Sequence, residues 1–294
     1  MSESVSGKDK VRVSVLIPCM NEEDNLPRCL AGVVWADEIF VVDSQSEDGT
    51  AKIAEEADAS VVQFKYSGGW PKKKNWALEN LPFRNEWVLI VDADEVMPIE
   101  AKEEIRAIVS DSEEIHSGYW INRRYFFLDK PLRHAYFPNW NLRLFKHRLG
   151  RYEKLTDKFT GSGDHEIHEH VVVKGTTGKL RSIMDHHAFP TIESFVEKHN
   201  RYSNWEATVA HAVGADSREL QHGRVRARRC LKHLFQKMPF RPTLRFLYVY
   251  LWQMGFLDGW EGYVFARLHG QYEFLSLTKA RAYADERKAD SGSS

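Results

Sequence analysis

Asp92, Asp94 and Glu95 follow directly on an apolar run, WVLIV at 87–91. Residues two apart on an extended segment point the same way. The carboxylates of Asp92 and Asp94 are therefore expected to converge on one divalent cation, with oxygen ligands suited to Mg²⁺ or Mn²⁺. Three acids in four positions repel one another unless something positive is bound, and a D-x-D at a strand end is far more telling than the bare motif. Asp43 closes another apolar run (EIFVVD, 38–43) and is followed by Ser44, Ser46, Asp48, Gly49 and Thr50. A carboxylate there can accept hydrogen bonds from a base or a ribose hydroxyl, whereas Asp48 has the plainer option of capping the next helix. Further acids, Asp164, Glu166 and Glu169, stand among histidines in GSGDHEIHEHV. A zinc protease needs H-E-x-x-H on a helix, and Glu169 occupies the place of the second histidine. Zinc held by His168 and His170 is the weaker alternative.

These side chains need a scaffold, and the chain supplies one in its hydrophobic pattern. VRVSVLIP at 11–18 is β-branched, apolar and ends in proline, which marks a buried strand. Leu26, Cys29, Leu30, Val33 and Val34 recur at helical spacing within 21–34. Strands over 38–43, 60–64 and 86–92 follow, with a helical stretch over 51–57. Such alternation implies βαβ units, a parallel sheet covered on both faces and right-handed crossovers. The first 110 residues thus read as half of a doubly wound α/β domain, whose ligands bind outside the carboxyl ends of the strands. Aromatic and arginine residues alternate over 118–145, predicting antiparallel strands; 161–181 reads as loop plus strand, and 192–212 as helix. The first strand ends in PCMNEEDN without a glycine. That excludes a G-x-G-x-x-G dinucleotide turn and a Walker loop.

Composition narrows the class further. With 43% hydrophobic and 28% charged residues, the chain of 294 residues is an ordinary globular protein, one large domain or a domain with an appendage. A formal net charge of −1 gives no overall nucleic-acid signature. Three scattered cysteines do not make a disulfide framework and fit a reducing compartment. The polar opening MSESVSGKDK lacks the apolar core of a secretory signal, and no run suffices to span a bilayer. A cytoplasmic protein, peripheral on the inner face of the cell membrane, is the expectation. From Arg218 the chain turns basic and then aromatic (FLYVYLWQMGFLDGW). One reading packs this region on the core; the other sets its arginines toward anionic lipid with Phe246, Tyr248, Tyr250, Trp252 and Phe256 near the acyl boundary.

VSVLIPCMNEEDNL, EIFVVDSQSEDGT and WVLIVDADE, in that order and spacing, resemble glycosyltransferase family 2. NLRLFKH, IHEHVVVKG, MDHHAF, KHNRYSNWEA and the stretch FRPTLRFLYVYLWQMGFLDG are similar to its bacterial lipopolysaccharide-core and exopolysaccharide members. The resemblance implies a GT-A-type, Rossmann-like mixed sheet flanked by helices over 11–215. A basic and aromatic helical extension over 216–284 would follow, with flexible tails at 1–10 and 285–294. It also implies a nucleotide-sugar donor, Mn²⁺ or Mg²⁺ as cofactor, and a glycan or lipid-linked glycan acceptor. Carried over by position, Pro18, Asn21 and Glu22 would line the nucleotide pocket with Ser44, and Asp43 would hold uracil or ribose. Lys74, beside Lys72 and Lys73, would reach the nucleotide. Asp92 and Asp94 match the metal-binding D-x-D, with Asp94 the direct ligand, and His186, next to His187, would complete the metal site.

Transfer needs leaving-group stabilisation by the metal and a carboxylate that deprotonates the acceptor hydroxyl. Glu169, which matches a His-Glu pair of the bacterial subgroup, is the first choice as base, ahead of Glu166 and Asp164. One base and one in-line displacement invert the anomeric carbon. A sugar-1-phosphate nucleotidyltransferase would need a glycine-rich loop after the first strand, which is missing. A binding scaffold without activity fits poorly with the retained strand-end acids. The Q-x-x-R-W segment of processive synthases is absent as well, so a single sugar is expected to be added.

Overall fold

The computed structural model describes residues 9–154, 170–216 and 240–291. Its elements in chain order begin with β1 (Val11–Cys19), α1 (Leu26–Val33), β2 (Ala36–Asp43), α2 (Thr50–Glu56), β3 (Ser60–Gln63), α3 (Lys73–Asn80) and β4 (Trp87–Ile90). There follow β5 (Glu95–Val96), α4 (Glu100–Ser110), β6 (His116–Phe127), β7 (Lys130–Pro131), β8 (Trp140–Lys146), β9 (Gly150–Tyr152), β10 (Val171–Val173) and β11 (Thr176–Phe189). The last helices are α5 (Ile192–Asp216), α6 (Arg241–Leu247) and α7 (Gly259–Ser291). A π-turn at Tyr248–Trp252 and a 3₁₀ turn at Gly255–Asp258 separate α6 from α7. Two compact units emerge, one of residues 9–126, 138–154 and 170–188, the other of 127–137, 189–216 and 240–291. α5 groups with the C-terminal helices.

In the first unit the main sheet runs β3-β2-β1-β4-β8-β6-β11-β5. β1 pairs in parallel with β2 and β4, and β2 with β3. Beyond β4 the direction alternates, because β8 is antiparallel to both β4 and β6. The mixed α/β sheet expected for a GT-A fold is thus observed. Successive side chains of β1 serve opposite faces. Val13, Val15, Ile17 and Cys19 join the core shared with α1 and α4, while Leu16 joins the opposite core shared with α3. Covering both faces explains why the strand sequence is continuously apolar. Gly32 sets the spacing behind the site: a Cβ there would meet the Met97 backbone at 3.0 Å. Glycine lets α1 approach the chain just after the acidic turn.

Candidate active site at the carboxyl ends of the strands

β1 and β2 lie in register with Cys19 beside Asp43, so both chains leave the sheet at one edge. The loops that follow are stitched together. Asn21 takes a left-handed conformation (φ 54°), which asparagine tolerates better than most residues. Its amide donates to Ser46 Oγ at 2.8 Å, and its Oδ1 accepts from the Glu47 amide at 2.9 Å. The Glu22 amide donates to Thr50 Oγ1 at 2.8 Å, and Glu22 Oε2 accepts from Asn25 Nδ2 at 2.8 Å. Pro18 is buried, and the Ser44 amide donates to the Cys19 carbonyl at 3.0 Å. Asp43 is wholly buried and accepts from the Ser46 amide, the Ser46 hydroxyl and Gln63 Nε2. Asp48 Oδ1 accepts from the Thr50 amide at 3.0 Å, while Gly49 is the N-cap of α2. Pro18, Asn21, Glu22, Asp43 and Ser44 are therefore neighbours on one strand-end platform, with Asp43 as its internal brace.

The acids after β4 are held differently from one another. The chain turns there, the Glu95 amide donating to the Asp92 carbonyl at 2.8 Å. Residues 92–95 are thus not extended, and the same-side rule that would make Asp92 and Asp94 converge does not operate. Asp92 meets cations of the chain itself: Lys74 Nζ at 2.8 Å on Oδ1 and Arg143 Nη2 at 2.5 Å on Oδ2. Burial alone would raise its carboxyl pKa, but the Arg143 and Lys74 charges outweigh it and hold the carboxyl well below the usual range. Glu95, fully buried, accepts from Arg143 at 2.5 Å and Arg123 at 2.8 Å, and its Oε2 accepts from the Asp92 amide. The positive charge that three clustered acids demand is supplied in part by Lys74, Arg123 and Arg143. Sequence reasoning passed over both arginines. The available signal was a charged residue within Leu142–Phe145, otherwise the apolar heart of β8.

Asp94 faces a histidine. Its Oδ1 is 3.3 Å from His186 Nε2, and both side chains are 12% exposed, enough to leave the pair reachable. β11 brings His186 there by pairing with β5, where His186 stands opposite Glu95. The His186 ring packs on Tyr125 (4.7 Å), and its Nδ1 is buried without a hydrogen-bond partner. His187 instead donates its backbone amide to the Asp94 carbonyl at 2.8 Å and stacks on Phe126. The pair offers one carboxylate oxygen and one imidazole nitrogen, donors that divalent cations accept. No group of three His, Cys, Asp or Glu side chains that could hold a metal ion occurs among the described residues.

The three successive lysines 72–74 are all buried. Lys73 Nζ donates to the Cys19 carbonyl at 2.7 Å, and Lys74 lies over the Tyr152 ring at 5.4 Å. Asn75 grips β9 at both backbone groups of Tyr152, each at 2.9 Å. β9 pairs with β10, and the Glu153 amide donates to the His170 carbonyl at 3.0 Å. Asp164, Glu166 and Glu169, together with His168, lie outside the described residues.

The family model for glycosyl transferase family 2 matches residues 14–165, half of the chain. The chain belongs to glycosyltransferase family 2. Its relatives carry the similarity beyond that span. The lipopolysaccharide core biosynthesis glycosyltransferase LpsC of Rhizobium meliloti is 29% identical over 284 residues, 92% of each chain. An uncharacterized glycosyltransferase of Rickettsia conorii is 30% identical over 204 residues, 67% of this chain and 69% of its own. Among solved structures, the mannosyltransferase PcManGT from Pyrobaculum calidifontis, in complex with GDP-Man and Mn²⁺, superposes with a TM-score of 0.50. That comparison covers 93% of this chain and 88% of the other at 17% identity, so it speaks to the fold alone. As a family 2 glycosyltransferase, the chain is an enzyme. Among the described residues, no helix is long and apolar enough to cross a membrane.

Proposed function

We propose that the enzyme transfers a single sugar, with inversion, from a UDP-sugar to a hydroxyl of a glycan or lipid-linked glycan in cell-surface polysaccharide synthesis. The observation that carries this reading is the Asp94–His186 pair beside the cation-clamped Asp92 at the carboxyl end of β4. Asp94 and His186 are the residues to hold Mn²⁺ or Mg²⁺, which when bound neutralises charge on a diphosphate leaving group. The platform of Pro18, Asn21, Glu22 and Ser44, braced by Asp43, receives the nucleoside. Lys74 and Arg143 fix Asp92 in its ionised form, so that it accepts hydrogen bonds from the donor and does not take protons from it. Glu169, or else Glu166 or Asp164, removes the acceptor proton as its oxygen attacks. A lipid-linked acceptor would meet the enzyme at the inner face of the cell membrane.

Slow donor hydrolysis, with water in place of the acceptor, tests this without the natural substrate. UDP-sugars and GDP-sugars are incubated with Mn²⁺ or with chelator, and the first-formed anomer is read by NMR. The expected result is metal-dependent release of the nucleoside diphosphate and an inverted sugar. Glu169→Gln should slow turnover about 100-fold or more while nucleotide binding persists. A retained anomer, or turnover indifferent to chelation, contradicts the proposal.

A further inference from the structure

Between α6 and the start of α7 the second unit displays a run of large apolar side chains to solvent. Tyr248 is 44% exposed, Leu251 55%, Trp252 80%, Phe256 46%, Leu257 56% and Trp260 67%. Of the five aromatic residues expected to face lipid, Tyr248, Trp252 and Phe256 do point outward. Phe246 and Tyr250 instead stack on one another at 5.3 Å and form the base on which the others stand. That base is firmly held: a side chain at Gly262 would collide with the Gly255 carbonyl, so the first turn of α7 packs directly on the 3₁₀ turn. A cluster of large exposed apolar side chains in one short segment marks an interaction site.

Charge decides the partner. The carboxylates in 240–263 are Asp258 and Glu261, and neither faces outward freely. Asp258, with 3% of its side chain exposed, accepts the backbone amides of Arg133, His134 and Ala135 at 2.7–3.0 Å. Glu261, 15% exposed, is paired with Lys130 Nζ at 2.5 Å. Exposed cations remain alongside: Arg133 at the Asp258 turn, and Arg267 over the Phe246 ring at 5.4 Å. Aromatic and aliphatic tips with their acids turned inward and arginines at the edge match the layering of an anionic bilayer surface, where tryptophan and tyrosine sit at headgroup level.

We infer that Tyr248–Trp260 is an interfacial wedge that docks the enzyme on anionic phospholipid, with Leu251, Trp252, Leu257 and Trp260 entering the acyl boundary and Arg133 and Arg267 meeting the headgroups. This docking stands independently of the donor site. Co-flotation of the full chain with vesicles of phosphatidylcholine, alone or mixed with phosphatidylglycerol, tests it. The wild type should float with the mixed vesicles, release as salt is raised, and float far less with phosphatidylcholine alone. Trp252→Ser combined with Trp260→Ser should cut partitioning at least about tenfold while leaving the melting temperature and nucleotide binding as in the wild type. Arg133→Glu with Arg267→Glu should remove the preference for phosphatidylglycerol. Absence of flotation overturns the inference, as does flotation unchanged in the folded double tryptophan variant. Self-association on a sizing column that the same variant abolishes, without vesicle binding, would assign the face to a second copy instead.

Discussion

Asp92 and Asp94 are two residues apart and have different surroundings, so conservative substitutions at them should separate cleanly. Asp94→Asn removes the carboxylate that faces His186 Nε2 at 3.3 Å. It should weaken metal-dependent nucleotide binding about 10-fold or more with little change in melting temperature. Asp92→Asn deprives Arg143 and Lys74 of a shared counter-charge, and should cost about 1–3 kcal/mol of stability in a denaturant titration. Equal effects of the two on stability would contradict this division. The D-x-D itself was legible because it ends an apolar strand. Its split environment was not, since the cations that clamp Asp92 come from α3 and β8, distant in sequence. Asp43 teaches the same lesson, for its brace to Gln63 depends on a strand pairing that no local pattern announces.

At the scale of elements, β8 and α3 matter most to the site. β8 carries Arg143 between two acids, one of them wholly buried. Arg143→Met should therefore destabilise the enzyme by about 3–5 kcal/mol, measured by denaturant unfolding, because Glu95 and Asp92 lose their common partner inside the protein. A cost under about 1 kcal/mol would mean that the cluster is solvated and contributes little. The strands β1, β2 and β4 were readable as β-branched apolar runs, and the aromatic-arginine alternation correctly foretold antiparallel β6 and β8. α3 was not foreseen. Its sequence KKNWALEN has no clear apolar stripe, and its lysines are buried by tertiary partners: the Cys19 carbonyl, Asp92 and the Tyr152 ring.

On the scale of the whole molecule, stability should depend on pH through the second unit. His199 is buried, with its ring stacked on Phe195 at 3.7 Å and Nδ1 within 2.9 Å of the Phe195 carbonyl; burial, abetted by Lys198, lowers its pKa to about 4. His269 lies 5.2 Å away and is held well below the ordinary range by burial, His199 and Arg245. Both stay neutral in the fold, while the unfolded chain takes up protons below about pH 6.5. Their contribution is complete above that pH and fades as pH falls toward 4, by on the order of 3 kcal/mol for His199. Asp92, whose depressed pKa lies lower still, keeps its pairing throughout this window. Thermal melts between pH 7 and 4.5 should thus fall steeply, and His199→Phe should flatten the slope; an unchanged slope would place the titration elsewhere. The central claim, a metal-assisted nucleotide site at the strand ends, is tested most directly by calorimetric titration of UDP with and without Mn²⁺ into wild type and Asp94→Asn. Binding that requires Mn²⁺ and collapses in the variant is the predicted result. Equal binding by both proteins, or none by the wild type with the metal present, would contradict it.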